Sequence, residues 1–282
     1  MQLAVSNIAW RTDEDEAALD RLQALGVQGL EIAPGLAFAG QPDPVRPDQA
    51  VIDSWRSRLE RRGLALVSMQ SLLFGQHQAS LFGDKIGRQV FETGMQAAID
   101  LAGRLRCPNL VLGSPAARRI PDHLDHDAAE QMAIDLIYRL GDRCRAIGTR
   151  ISLEPIPRAY GANFLNTFAE TVAFVQRLGH PCIKVNLDIG ALTMNGETAS
   201  TLDTLPRTAD VIGHVHISEP ELALAPAEVS RLTEILSALR RVGCGHWTSI
   251  EMRSTEGDNL ARLVTGVQRA QTAIRQSQGD QK

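Results

Sequence analysis

Short apolar runs alternate with longer stretches of helical period along nearly the whole chain. Residues 3–9, Leu-Ala-Val-Ser-Asn-Ile-Ala, read as a first strand. Asp13-Glu14-Asp15-Glu16 then place negative charge where a helix N-terminus favours it, and Leu19, Leu22 and Leu25 form one apolar face that ends at Gly26. Residues 27–32 predict a second strand, 48–62 a helix stopped by Gly63, and 64–69 a third strand followed by Gln70 and Ser71. The alternation continues with a helix over 84–105, a strand at 110–112, a helix over 123–147 and a strand at 151–154. A helix over 166–178, a strand at 185–188, a short helix at 201–205 and a strand at 211–217 follow. The chain closes with a helix over 226–242, a strand at 247–251 and a helix over 259–274. The proline-rich stretch 34–47 and residues 74–83 read as loops able to roof a pocket.

Eight strand-then-helix units without a break in composition predict a single α/β domain, a (β/α)8 TIM barrel over residues 1–275, with a polar, frayed tail at 276–282. A doubly wound sheet would want a glycine-rich phosphate turn after strand one, where this chain has Asn7-Ile8-Ala9-Trp10. In a barrel the active site belongs at the C-terminal rim of the strands.

That rim concentrates the candidate chemistry. Four runs finish on a metal-ligating residue: Ile151-Ser152-Leu153-Glu154, Val185-Asn186-Leu187-Asp188, Val211-Ile212-Gly213-His214-Val215-His216 and Trp247-Thr248-Ser249-Ile250-Glu251. A carboxylate inside an apolar run is costly unless it is paired or binds a metal. A single one would fit an ion pair with Arg or Lys, but Glu154, Asp188 and Glu251 repeat the same placement. With His216 they make a ligand set for a borderline divalent ion. His214 and His216 are two apart and share a strand face, which puts His214 one layer deeper, as a core histidine or a supporting partner. Glu31, Gln70 and Ser114 fall at the ends of strands two, three and four as candidate substrate contacts. Glu31 has the alternative of pairing with an arginine such as Arg253. Arg118 and Arg119 are candidates to meet an anionic substrate group, or are solvated charge. Glu219 is placed to bind a sugar hydroxyl, to orient the histidine, or to sit in solvent. Trp10 and Phe74 are candidate pocket walls, and Trp55 reads as helix-to-sheet packing.

Composition narrows the picture. A formal charge of -4 argues against an obligatory nucleic-acid partner. Cys107, Cys144, Cys182 and Cys244 are far apart, with neither zinc nor redox spacing, and suit inert thiols in a reducing cytoplasm. No run approaches the roughly 18 apolar residues of a membrane span. Met1 leads directly into a strand, so no signal peptide is expected.

With these residues in view the chain resembles the xylose-isomerase-like barrels, which include sugar and sugar-phosphate epimerases and isomerases. The resemblance covers essentially the whole chain and is sharpest in Ser152-Leu153-Glu154-Pro155, Asn186-Leu187-Asp188, Gly213-His214-Val215-His216-Ile217-Ser218-Glu219 and Ser249-Ile250-Glu251. It is similar above all to the ketose 3-epimerase branch. That likeness implies one divalent ion, manganese first with magnesium, cobalt or zinc as alternatives, held by Glu154, Asp188, His216 and Glu251. It also implies that Glu154 and Glu251 exchange the substrate proton from opposite faces, that the substrate is a sugar or polyol, and that the barrel pairs as a homodimer. A lyase or dehydratase acting on a keto-sugar or cyclitol is the alternative reaction on the same residues. Two positions depart from the branch: Ala191 stands where a substrate-binding histidine is expected, and Pro220-Glu221-Leu222 where an arginine is expected. The histidine missing near Ala191 also argues against the three-zinc chemistry of the related DNA-repair endonucleases.

Overall fold

The computed structural model describes residues 1–279. Eight strands, β1 (Gln2–Ser6), β2 (Gly29–Ile32), β3 (Ala65–Met69), β4 (Leu110–Leu112), β5 (Ile151–Leu153), β6 (Ile183–Asp188), β7 (Ile212–Ser218) and β8 (Trp247–Glu251), close into a barrel in chain order. All neighbours run parallel, and β8 returns to β1 through Gln2 opposite Trp247 and Val5 opposite Ile250. Around it lie α1 (Asp15–Ala24), α2 (Pro34–Ala37), α3 (Gln49–Glu60), α4 (Lys85–Leu105), α5 (His126–Ile147), α6 (Phe168–Leu178), α7 (Ile189–Asn195), α8 (Thr198–Thr208), α9 (Val229–Arg241) and α10 (Asn259–Gly279). This is the (β/α)8 TIM barrel that the strand count predicts. Among the described residues no helix is long and apolar enough to cross a membrane.

Local chemistry sets most boundaries. The Asp84 side chain accepts from Gly87 N at the start of α4, and Thr167 and Glu170 form a reciprocal capping box on α6. Gly148 and Gly179 end α5 and α6 in the left-handed conformation. The apolar strand residues, among them Val5, Leu30, Leu112, Leu153, Val185, Val215 and Ile250, pack with the helices in one hydrophobic cluster. Trp55 joins that cluster from α3, with Phe38 at a ring-centroid distance of 5.6 Å.

Four elements differ from the sequence pattern. Residues 7–9 leave β1 as a short 3-10 turn, because the buried Asn7 side chain accepts from Ala33 N at 2.7 Å. Pro34–Ala37 forms a helical turn inside the proline-rich stretch. A helix, α7, starts immediately after Asp188, whose own carboxylate caps it. The last helix runs on to Gly279: Ser277 is buried and accepts from Arg240 Nε at 3.0 Å, so packing on α9 orders a segment that reads as polar tail. Residues 280–282 of that tail lie outside the described residues.

Cys107, Cys144 and Cys244 are buried free thiols, and burial pushes them up to about 12, about 12 and about 11. These three are expected to resist a thiol-titrating disulfide reagent in the native protein at pH 8 and to react on denaturation; rapid native labelling of any of them would contradict this placement. Gly29 is required by close approach, since a Cβ there would lie 2.6 Å from Ala4 Cβ and 2.7 Å from the Trp247 ring. Gly29→Ala is therefore expected to lower unfolding free energy by about 1–3 kcal/mol in a urea titration, and an unchanged midpoint would count against this packing.

Candidate metal centre and pocket

The inward faces of the strands carry a hydrogen-bonded polar column in place of the usual branched apolar fill. Ser152 Oγ donates to Asn109 Oδ1 at 2.7 Å, and Asn109 Nδ2 donates to Ser68 Oγ at 3.0 Å. Higher up, Gln70 Nε2 donates to Ser6 Oγ at 2.7 Å and to Glu31 Oε1 at 3.0 Å. The other Glu31 oxygen lies 3.1 Å from His216 Nε2 and 3.2 Å from His214 Nε2. His214 Nε2 also sits 2.9 Å from Ser249 Oγ. A register shift between Leu30 and Glu31 on β2 and another between Val185 and Asn186 on β6 flank this column. Such irregularities re-aim side chains at barrel rims. Glu31 is fully buried; burial would raise its pKa, but His216 and His214 outweigh it and hold the carboxyl well below the usual range. Burial instead lowers the pKa of His214.

Above Glu31 the strand ends converge. The pairing of β6 with β7 sets Asp188 beside His216, and that of β7 with β8 sets Ser218 beside Glu251. His216 Nδ1 lies 3.1 Å from Glu154 Oε1, 3.2 Å from Glu251 Oε2 and 3.7 Å from Asp188 Oδ2. One donor atom from each of the four falls within 4.8 Å of every other. Despite these short separations His216 Nδ1 is buried without a hydrogen-bond partner. With Nε2 facing the ionised Glu31, a neutral imidazole would keep its hydrogen there and offer the Nδ1 lone pair to a bound cation. Donors that share one cation at metal–oxygen distances of about 2.0–2.6 Å are themselves separated by roughly 3–5 Å, so the group fits a single ion. Without a cation the centre holds protons. Burial lowers the pKa of His216, but Glu31 and Glu251 outweigh it and raise the imidazole well above its ordinary value. Burial, with the charges of Glu154 and Asp188 and against the pull of His216, raises Glu251 to about 7.

Each carboxylate is aimed by its neighbours. Asp188 Oδ1 accepts from Ala191 N at 2.5 Å at the head of α7, and Oδ2 accepts from Ser218 Oγ at 2.6 Å. Asn186 Nδ2 donates to Glu154 Oε1 at 2.9 Å. Gly113, at the end of β4, leaves room for the other Glu154 oxygen: a Cβ there would lie 2.5 Å from Oε2.

The centre opens into a pocket of about 350 Å3 bounded by Pro115, Ile156, Tyr160, Ala191, Leu222 and Arg253, with Glu154, Asp188 and Glu251 at its floor. Of the remaining sequence candidates, Glu219 also lines this pocket and the others take other places. Glu31 and Gln70 are sealed inside the column, with imidazoles and Ser6 as partners in place of Arg253 or a ligand. Arg118 is buried, donates from Nη2 to the Glu154 carbonyl oxygen at 2.6 Å, and leaves Nε and Nη1 without partners. Burial lowers its pKa to about 10. Its place is behind the Glu154 backbone, away from any anionic group in solvent. Arg119 Nη1 reaches Gly161 O at 3.5 Å. The Glu219 carboxylate is taken up by Arg231 Nη2, at 2.7 and 2.6 Å, and by Ala227 N at 2.8 Å. Ser114 turns the chain after β4 and lines a neighbouring cavity with Phe74. Trp10 is no pocket wall: it is 2% exposed, with Nε1 donating to Asp15 Oδ1 at 2.8 Å. Tyr160 and Arg253 line the pocket without having stood out as pocket residues in sequence. Their only signal was position, just past the fifth and eighth strand ends.

The proton inventory has a consequence for metal uptake. Because His216 retains a proton above its ordinary pKa and Glu251 titrates near 7, a cation must displace protons below neutrality. Manganese affinity measured by calorimetry is expected to rise from pH 5.5 to pH 8 with proton release in buffers of differing ionisation enthalpy; a pH-independent affinity would contradict it. Glu31→Gln should weaken metal binding by about 10–100-fold although Glu31 touches no metal site oxygen.

The model of the xylose isomerase-like TIM barrel family matches residues 19–276. Two curated relatives are each 30% identical: a ketose 3-epimerase of Arthrobacter globiformis over 38% of this chain and 36% of its own, and an L-ribulose 3-epimerase of Mesorhizobium japonicum over 45% and 42%. The matched segments thus span less than half of either relative. A solved structure of an L-ribulose 3-epimerase superposes with a TM-score of 0.78 at 19% identity, over 100% of this chain and 99% of that one. From the extent of the family match, with the barrel and its rim already described, the chain belongs to the xylose isomerase-like TIM barrel family.

Proposed function

We propose that this protein is a divalent-metal-dependent epimerase or isomerase of a ketose or related polyol, working by proton transfer beside a carbonyl. The observation that carries the reading is the buried His216 Nδ1, without a hydrogen-bond partner and ringed by three carboxylates. Neutral imidazole and carboxylate donors suit manganese, with magnesium, cobalt or zinc as alternatives. Glu154, Asp188, His216 and Glu251 are the proposed ligands. A bound divalent ion would polarise the substrate carbonyl and stabilise the negative charge that develops on its oxygen.

The chain's own residues supply the proton chemistry. Glu154 follows β5 and Glu251 ends β8, so the two carboxylates reach the shared centre from different sides of the barrel. One removes the proton next to the carbonyl and the other returns one, which inverts that carbon. Return to the adjacent carbon instead gives isomerisation. Asn186 donates to Glu154 and fixes its aim. Ser218 and Ala191 N hold Asp188 in place, so it serves as ligand and not as a base.

The names of the two curated relatives support an epimerase of sugars. Ala191 and Leu222, both apolar and both lining the pocket, leave the substrate open, and a lyase or dehydratase acting on a keto-sugar or cyclitol is the second reading. A homodimer in a reducing cytoplasm completes the proposal; the free, mostly buried cysteines fit the latter. To test it, candidate ketoses and cyclitols are incubated in deuterated water with manganese. Deuterium on a retained carbon skeleton is the expected result, and loss of water or chain cleavage identifies the second reading. Glu154→Gln and Glu251→Gln should each cut exchange by about 10²–10⁴-fold. Exchange that persists at wild-type rate in both variants or after chelation would sink the reading.

A further inference from the structure

Next to the metal-centre pocket lies a second cavity of about 410 Å3 that none of the proposed chemistry uses. Pro115 lines both, so the two spaces adjoin there. Its lining includes Ser71, Phe74, Gln76, His77 and Ser114, and none of its lining residues is a carboxylate, lysine or arginine. The first pocket, by contrast, includes Glu154, Asp188, Glu219, Glu221 and Glu251 in its lining. Phe74 is 82% exposed, the most exposed of the large hydrophobic residues described.

That ring is held out, not left loose. The two preceding leucines are buried, and Leu73 presses so closely on α4 that a Cβ at Gly94 would lie 2.7 Å from it. Phe74 N donates to Ser71 O at 3.0 Å, Gln76 N to Leu73 O at 3.0 Å and Ala79 N to Gln76 O at 2.9 Å, which closes three consecutive turns. Leu81 N donates to Ala117 O at 2.8 Å and ties this loop to the one after β4. Ser71 and Ser114 sit two residues beyond the ends of β3 and β4, both with φ of 54°, a left-handed conformation that costs a non-glycine residue about 1–3 kcal/mol. Strain at matching positions on both walls, with an exposed aromatic in the same lining, describes a prepared surface. A flat aromatic face beside hydroxyl, amide and imidazole groups matches the C–H face and hydroxyl edge of a neutral sugar ring. Each cavity alone sits near the lower end of the roughly 300–1,000 Å3 of small-ligand sites, and joined across Pro115 they move well into that range.

We propose that the Phe74 cavity is a second subsite for a neutral sugar unit, so that the substrate is a glycoside whose reacting ring lies at the metal centre and whose second ring rests on Phe74. The identity of the reacting ring rests on the proposed function above; the second subsite does not.

The test therefore separates binding from turnover. Cellobiose, maltose and lactose are titrated calorimetrically against methyl glucoside and methyl galactoside, with manganese-loaded wild type, Phe74→Ala and Ile86→Ala, the last being another exposed apolar residue outside the cavity. At least one disaccharide should bind wild type ten times or more tighter than its methyl monosaccharide. Phe74→Ala should erase that ratio, Ile86→Ala should keep it, and His77→Ala should reduce it. Equal affinities for mono- and disaccharides, or a ratio that survives Phe74→Ala, would overturn the proposal. A change of sedimentation behaviour in Phe74→Ala with an unchanged ratio would overturn it too, assigning the ring to a subunit contact. Failure of the proton-transfer reading would appear separately, as absence of deuterium exchange on every sugar while the disaccharide preference stands.

Discussion

The charged centre depends on one imidazole placed between carboxylates at two depths of the barrel. His216 meets Glu31 below through Nε2 and Glu154, Asp188 and Glu251 above through Nδ1. Four buried or nearly buried carboxylates around one ring are intolerable as a bare arrangement, because desolvation of each charge costs several kcal/mol and like charges add to it. Positive charge at the middle is the way out. A proton on His216 and partial protonation of Glu251 supply it in the metal-free chain, and a cation supplies it better. The lower half is then permanent: Glu31 stays ionised, is bonded to Gln70, and keeps the Nε2 side of His216 committed. The upper half is where occupancy changes.

A polar barrel interior follows from that need. An ionised Glu31 requires donors on every side, and Gln70, His214 and His216 are the ones within reach. Those in turn need partners, which Ser6 and Ser249 provide. Each added polar group is acceptable only because the next one satisfies it. The helices carry the apolar packing that the barrel interior gives up, in the continuous cluster between strands and surrounding helices.

This division explains what could be read in the sequence. The alternation of strand and helix segments shows the barrel because the outward strand faces and the inner helix faces are apolar, whatever fills the interior. The four strand ends stand out because a carboxylate at the end of an apolar run breaks that pattern visibly. Glu31 also stands out, but its partner does not: the pairing runs across the barrel to a histidine 185 residues away, aimed by a register shift on β2. Arg118 misleads for a similar reason, since an arginine in a loop reads as solvated until the loop folds back and buries it behind Glu154. Ser277 misleads at the other end, where a polar helix face is ordered by a neighbour that sequence period alone does not reveal.

The rim shows how the same barrel can change its substrate without moving its centre. Tyr160 Oη, from the loop after β5, accepts from Glu221 N at 2.9 Å, and Arg253 N, just after β8, donates to Leu222 O at 2.8 Å. Glu221 and Leu222 are both left-handed, with φ of 59° and 56°, in a loop that follows β7. Two adjacent strained residues persist only where contacts on both sides over-determine them. Here those contacts come from the loops of two other strands, so three loops fix one wall of the pocket before any ligand arrives. A wall set in advance lowers the ordering cost of binding, and it holds Leu222 in the pocket lining. The Asp188 and Glu251 carboxylates sit on strand ends and are untouched by that change. The pocket wall in this chain is therefore built from loops that are strained and cross-tied, while the carboxylates of the centre stay at the strand ends beneath them.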